Sequence, residues 1–160
     1  MYVWGRKPLF TFISIMLIIS DFPPTAQKRP RVTRQRTYDP SMCDKVEFLK
    51  SIMDQLPATP LTEALVLRIT FSFARPKSHF KRDGTLLRMA PARHTKKPDV
   101  DNLIKFVMDA LNGHLYVDDA QVVSVAARKL YAAEAGVEIR CDRVAEYSTE
   151  QKFARNNIEA

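Results

Sequence analysis

The chain has 160 residues, 46% hydrophobic and 27% charged, an ordinary globular balance with room for one domain around one core. Its 25 Lys and Arg against 18 Asp and Glu leave a net charge of +7, which points to a polyanionic partner. Cys43 and Cys141, far apart, exclude a disulfide framework and a cysteine zinc site, so a reducing, cytoplasmic setting is expected.

Arg6 and Lys7 precede an apolar run from Leu9 to Ile19. This layout resembles the start of a secretory signal, but the run is short for a membrane span, and Asp21-Phe22-Pro23-Pro24 offers no small-x-small cleavage site. Ile and Phe with interspersed Thr and Ser suit a buried strand instead. A strand is predicted there in preference to an exported or anchored protein, and no membrane is expected. Pro23-Pro24 ends it. Lys28, Arg29, Arg31, Arg34 and Arg36 then fill an exposed loop that proline and mutual repulsion keep extended. Ser41 is a candidate N-cap for a helix near 42–56, with Val46, Leu49, Ile52, Met53 and Leu56 as its buried face. Pro57 and Pro60 close it. Leu65–Phe73 reads as the clearest strand.

Residues 75–97 hold eight basic residues against Asp83 alone. Pro76, Gly84, Pro91 and Pro98 break any periodicity, so 75–98 reads as a long basic loop that orders on a ligand, and a loop of such length usually has a function. Its Lys77, Lys81, Arg82, Lys96 and Lys97 join the first basic loop as candidate phosphate contacts. His79 and His94 read as solvated surface groups rather than metal ligands. Pro98 disfavours helix before it, and Asp99 or Asp101 can cap the helix that follows. Val100, Leu103, Ile104, Val107, Met108 and Leu111 form its apolar stripe, and Asn112-Gly113 its stop. Asp101, Lys105 and Asp109 share another face. Tyr116-Val117-Asp118-Asp119-Ala120-Gln121 leads into a strand over 122–131. A turn at Glu134-Ala135-Gly136 and an alternating strand over 136–142 are predicted to pair with it as a hairpin. The order strand-helix-strand-loop-helix-strand-strand predicts an α/β fold, a single domain with a mixed sheet, over 1–144 with basic loops at 25–37 and 75–98, and a polar tail over 145–160.

The chemistry lies in the acidic remainder. Magnesium takes a few carboxylates plus waters and leaves positions for phosphate oxygens. Asp99, Asp101 and one of Asp118 or Asp119 are the candidate ligands, and Lys105 can stabilise charge on a reacting phosphate or protonate its leaving group. The competing expectation is a non-catalytic DNA-binding protein whose aspartates are helix caps and turns.

Pro98-Asp99-Val100-Asp101-Asn102-Leu103-x-Lys105-x3-Asp109-Ala110-Leu111, followed by Asp118-Asp119-Ala120-Gln121-Val122, resembles the signature of RusA-family Holliday-junction resolvases. The likeness is strongest over about 98–123 and reaches more weakly to Pro23-Pro24 and Lys28-Arg29-Pro30-Arg31. It implies that Asp99, Asp101 and Asp119 are the acidic catalytic residues and metal ligands, with Lys105 the catalytic lysine. It implies a homodimeric hydrolase that requires magnesium, with manganese as the alternative ion, and that nicks branched DNA at four-way junctions in pairs. It also implies recombination or repair, often from phage or prophage genes. The long apolar N-terminal run and the enlarged 75–98 loop depart from the family pattern.

Overall fold

In the computed structural model, residues 11–32 and 37–145 are described; the readings placed on 1–10, on Arg34 and Arg36, and on the tail from 146 fall outside them. In chain order the elements are β1 (Thr11–Ser20), β2 (Arg31–Val32), β3 (Thr37–Tyr38), α1 (Met42–Ile52), β4 (Leu65–Ala74), α2 (Val100–Leu111), β5 (Val122–Ala132) and β6 (Gly136–Ala145). The order matches the predicted one, with β2 and β3 added as a short antiparallel ribbon at the first basic loop. The predicted N-terminal strand is present: β1 lies antiparallel to β6, with Ile18 fully buried. Among the described residues no helix is long and apolar enough to cross a membrane.

The main sheet is mixed, in the order β1-β6-β4-β5. Here the predicted hairpin is corrected. β5 pairs parallel with β4, while β6 pairs antiparallel with β4 on its other side, so β5 and β6 are separated by a strand. Gly136 explains the misreading. A Cβ there would stand 2.7 Å from the Ser20 carbonyl oxygen, so the glycine serves a close backbone approach to β1 rather than a hairpin turn.

Alternate residues of β4 and β6 build the core. The register sets Leu67 beside Cys141, Ile69 beside Ile139 and Phe71 beside Val137, all buried. Phe48 and Ile52 of α1 and Leu103, Phe106, Val107 and Leu111 of α2 complete it. Each such side chain contributes roughly 1.5–3 kcal/mol on full burial. The rings of Phe48 and Phe106 meet edge to face at 5.9 Å, and Phe22 caps them both.

The predicted faces are borne out in part: Ile52 of α1 and Leu103, Val107 and Leu111 of α2 are buried, and Leu49, Leu56, Ile104 and Met108 pack against the core. In α1, Lys45 and Phe48 are buried as well, while Val46, and Met53 just past the helix, are exposed. In α2, Phe106 and Ala110 are buried and Val100 is exposed. Gly113, at φ +76°, does stop α2 as expected. Ser41 stands at the start of α1 without capping it; its hydroxyl accepts the Lys28 amide instead.

The burial of Lys45 has an electrostatic basis. The Lys45 ammonium, on a side chain only 11% exposed, donates to Asp39 at 2.8 Å and to Asp109 of α2 at 3.2 Å. A buried ammonium is tolerated when it is paired in this way. Burial pushes the Asp39 carboxyl up, but hydrogen bonds from Lys45, the Ser41 amide and Gln27 outweigh it and bring it down to about 2. A depressed carboxylate stabilises the fold above its ordinary value of 3.8, and that stabilisation is lost as pH falls through about 2. Asp39→Asn is therefore expected to lower unfolding stability at pH 7 by about 2 kcal/mol. Urea titrations across pH should show the gap to wild type narrowing from pH 4 towards pH 2, and a gap independent of pH would refute this.

Candidate active site at the start of the second helix

Asp99 occupies the N-cap position of α2 in extended backbone, yet its side chain makes no capping hydrogen bond. Asp101, in the first turn, is exposed. Among the described residues neither carboxylate has a hydrogen bond or an ion pair, so the predicted capping role is corrected for both. Both line one open cavity of about 550 Å³, with Arg93, Lys96, Lys97, Arg128 and Lys129 around them. Two carboxylates without partners beside five cations form a place where an anion and a metal ion can meet.

The loop before α2 is held by a residue that sequence reasoning took for plain strand. Lys129 of β5 donates to the Lys96 carbonyl at 2.6 Å and to the Pro98 carbonyl at 2.5 Å, fixing the chain just before Asp99. The signal for it was parity. Lys129 lies beside Phe71 and so takes a core-facing register position, where a lysine needs a partner.

His94 is also reassigned. It is no solvated group: its ring stacks on Phe73 at 3.8 Å, leans on Tyr131, and carries an Nδ1 that is buried without a hydrogen-bond partner among the described residues. Burial pushes its pKa down, and the Lys129 charge pushes it further, so the neutral ring is favoured. His79 meets Tyr131 edge to face at 4.7 Å.

The Asp-Asp-Ala-Gln segment divides its labour. Asp118 accepts from the Ala120 amide, and Gln121 accepts from the Asp118 amide, a complete capping box. The Gln121 side chain also donates to the carbonyls of Leu61 and Glu63, anchoring the turn to the start of β4. For Asp118 the cap expectation holds. Asp119 is left half-buried, its carboxylate without a hydrogen bond or ion pair among the described residues. It does not line the cavity that holds Asp99 and Asp101, and among the described residues no three His, Cys, Asp or Glu side chains close on one point. Its charge does reach the buried Tyr116, whose phenol burial already pushes up and Asp119 and Asp109 push further.

Lys105 is 64% exposed and stands 3.8 Å from Asp109. That pair is stretched, because Asp109 is already held by Lys45 through its other oxygen. Lys105 and the cavity are thus neighbours on one helix, but Lys105 is not part of the cavity wall. Of the candidate phosphate contacts, Lys96 and Lys97 line the cavity. Arg29, Arg31, Lys77, Lys81 and Arg82 are exposed. Lys28 is paired with Asp44 at 2.7 Å.

The sequence has relatives. A protein of Bacillus subtilis (strain 168) named "Uncharacterized protein YqaN" is 33% identical over 127 residues, covering 72% of this chain and 87% of that protein. Residues 21–142 match the family described as Endodeoxyribonuclease RusA, a span that holds the whole cavity, the capping box and both basic loops. The chain therefore belongs to the RusA endodeoxyribonuclease family.

Proposed function

We propose that this chain is a metal-dependent endonuclease that resolves four-way DNA junctions by paired nicks, in recombination or repair of DNA in the cytoplasm. The observation that carries the proposal is the pair Asp99 and Asp101, unused as caps and open to a cavity with a cationic rim. On this reading residues 1–144 act as one catalytic unit, and two copies present two sites to opposed strands.

The donor set fits a hard divalent ion. Asp99 and Asp101 would hold magnesium, or manganese, through carboxylate oxygens, and Asp119 would bring the third carboxylate. Magnesium commonly takes one or two protein carboxylates and keeps its other positions for water and phosphate, so a site not closed by three side chains suits it. Bound there, the ion supplies Lewis acidity towards the scissile phosphate and the attacking water. The protein's own groups do the rest. Lys96, Lys97 and Arg128 neutralise phosphate oxygens at the rim, without reading sequence. Lys129 keeps the loop before Asp99 in place. Lys105 carries an ammonium able to meet charge growing on the phosphate or to protonate the leaving oxygen.

The test compares a synthetic four-way junction with a matched linear duplex, with and without magnesium. Cleavage of the junction only with the metal is expected, and binding without cleavage under every condition would leave a DNA-binding protein. In the same assay Asp101→Asn should lose at least about 100-fold in rate while still binding the junction, since such metal contacts are worth several kcal/mol. A near-normal rate would remove Asp101 from the site.

The capping box makes a sharper comparison. Asn caps about as well as Asp, so Asp118→Asn should keep both its cleavage rate and its melting temperature. Asp119→Asn should keep melting and lose cleavage. Equal rates in the two variants would contradict the split between a structural and a catalytic aspartate.

Lys105→Ala separates reaction from fold. The exposed pair with Asp109 is worth only about 0.3–0.5 kcal/mol, so melting should barely move. Loss of a preorganised charge at the phosphate should cost on the order of 100-fold in single-turnover rate. Lys105→Arg should recover little of it, because a planar guanidinium does not replace a compact ammonium. A wild-type rate in Lys105→Ala would rule out the catalytic role.

A further inference from the structure

Residues 75–98 read from the sequence as a loop that orders on a ligand, yet within them 77–90 form a folded finger. The Lys81 amide donates to Thr85 at 2.8 Å, and the Leu87 amide to His79 at 2.9 Å. Gly84, at φ +82°, makes the turn, and Asp83 accepts from both the amide and the hydroxyl of Thr85. Its base is tied to the sheet. Arg75 donates to the Pro91 carbonyl, the Tyr131 amide to Ala92, and His79 packs on Tyr131.

This ordered finger holds apolar side chains outward. Phe80, Leu86 and Leu87 are exposed, and Met89 is 88% exposed. An apolar cleft of about 380 Å³ opens between His79, Leu87, Met89 and Pro91, near the lower end of small-ligand pockets. Lys81 and Arg88 also line it. Lys77 and Arg82 are exposed nearby, and the segment's single acid, Asp83, is engaged by Thr85. Apolar surface held outward by a folded loop marks a contact site, and a rim of cations selects an occupant with an apolar plane and a negative charge. The finger continues directly into Arg93, Lys96 and Lys97 of the acidic cavity.

We propose that this cleft receives a nucleobase unstacked from the branch point of the DNA, with Lys81 and Arg88 on its phosphates. The proposal rests on the junction reading above and adds to it a way of recognising the branch. The base leaves its stack at a cost of a few kcal/mol, least where pairing is already disturbed, so a branch point is favoured over a regular arm.

The test places 2-aminopurine either at the branch point or within an arm of a four-way junction and adds the protein in chelator, where no strand is cut. Fluorescence should rise on binding for the branch probe alone. Leu87→Ser with Met89→Ser should abolish the rise and weaken junction binding by about tenfold, the scale of one lost base contact. Met89→Leu should preserve both, and unchanged melting of all variants shows that the fold is intact. An unchanged rise in the double variant, or binding by wild type with no rise, overturns the proposal. So does a fall in molecular mass of the double variant in sedimentation, which would mean that a second copy covers the cleft. Magnesium-dependent cleavage by the same wild-type preparation separates the failures. Junction cleavage without a fluorescence rise sinks the cleft alone, and neither binding nor cleavage sinks the junction reading with it.

Discussion

Parallel pairing of β4 with β5 is the constraint on which the chemistry depends. Two parallel neighbours cannot be joined by a tight turn; the chain must travel back the length of the sheet before the second strand begins. Here that return path is residues 75–121, and it carries the basic finger, the Asp99–Asp101 loop, α2 and the Asp118–Gln121 turn. The path is tied at several points. Tyr131 and Lys129 hold its first half against β5, the apolar face of α2 fills the core, and Gln121 fixes its end to Leu61 and Glu63. Side chains that the core does not need are then free to face outward at defined positions.

Charged residues in this protein fall into two populations with opposite physics. Lys45, Asp39 and Asp109 are drawn in and neutralise one another, and removing one partner leaves an uncompensated charge in a poorly hydrated place. Lys129 belongs to the same population, its ammonium satisfied by two carbonyls. Asp99, Asp101 and Asp119 belong to the other, their carboxylates without a hydrogen bond or ion pair among the described residues. Lys105 stands between the two, because its partner Asp109 is shared with Lys45. The contrast within a single motif is the most informative. Asp118 and Asp119 are adjacent and chemically identical, yet one is consumed by a capping box and the other is not.

The elements themselves were legible because each carried a local signal. Alternation marked β4, helical spacing marked α2, and Ile, Phe and Thr marked β1 as a strand despite its signal-like flanks. The acidic motif was read from its spacing in a basic chain and from its resemblance to a family, and the family match bears out that resemblance. What escaped was set by distant partners. Periodicity counts a lysine as polar, so Val46 was read into the buried face and Lys45 left out of it, although Asp39 and Asp109 draw the ammonium in. The pairing of β5 with β6 was inferred from a short connection, but strand order is decided by which edges are available. β4 takes the place between them. His94 looked like a loop histidine because its stacking partners, Phe73 and Tyr131, are distant in the chain.

The two basic segments differ in a way that composition does not reveal. The first is a short ribbon whose Lys28 is paired with Asp44, leaving Arg29 and Arg31 exposed. Such exposed cations suit contacts to a phosphate backbone along an arm, where affinity comes from charge and shape matters little. The second is braced by its own hydrogen bonds and by aromatic packing, and it leads straight into the acidic cavity. A rigid support keeps charge and apolar surface in a fixed relation to Asp99 and Asp101. On the proposed reading, selection of a branched substrate would use that fixed relation, because an arm of a junction presents the same phosphates as any duplex. On the proposed reading, affinity and discrimination fall to separate parts of one basic chain.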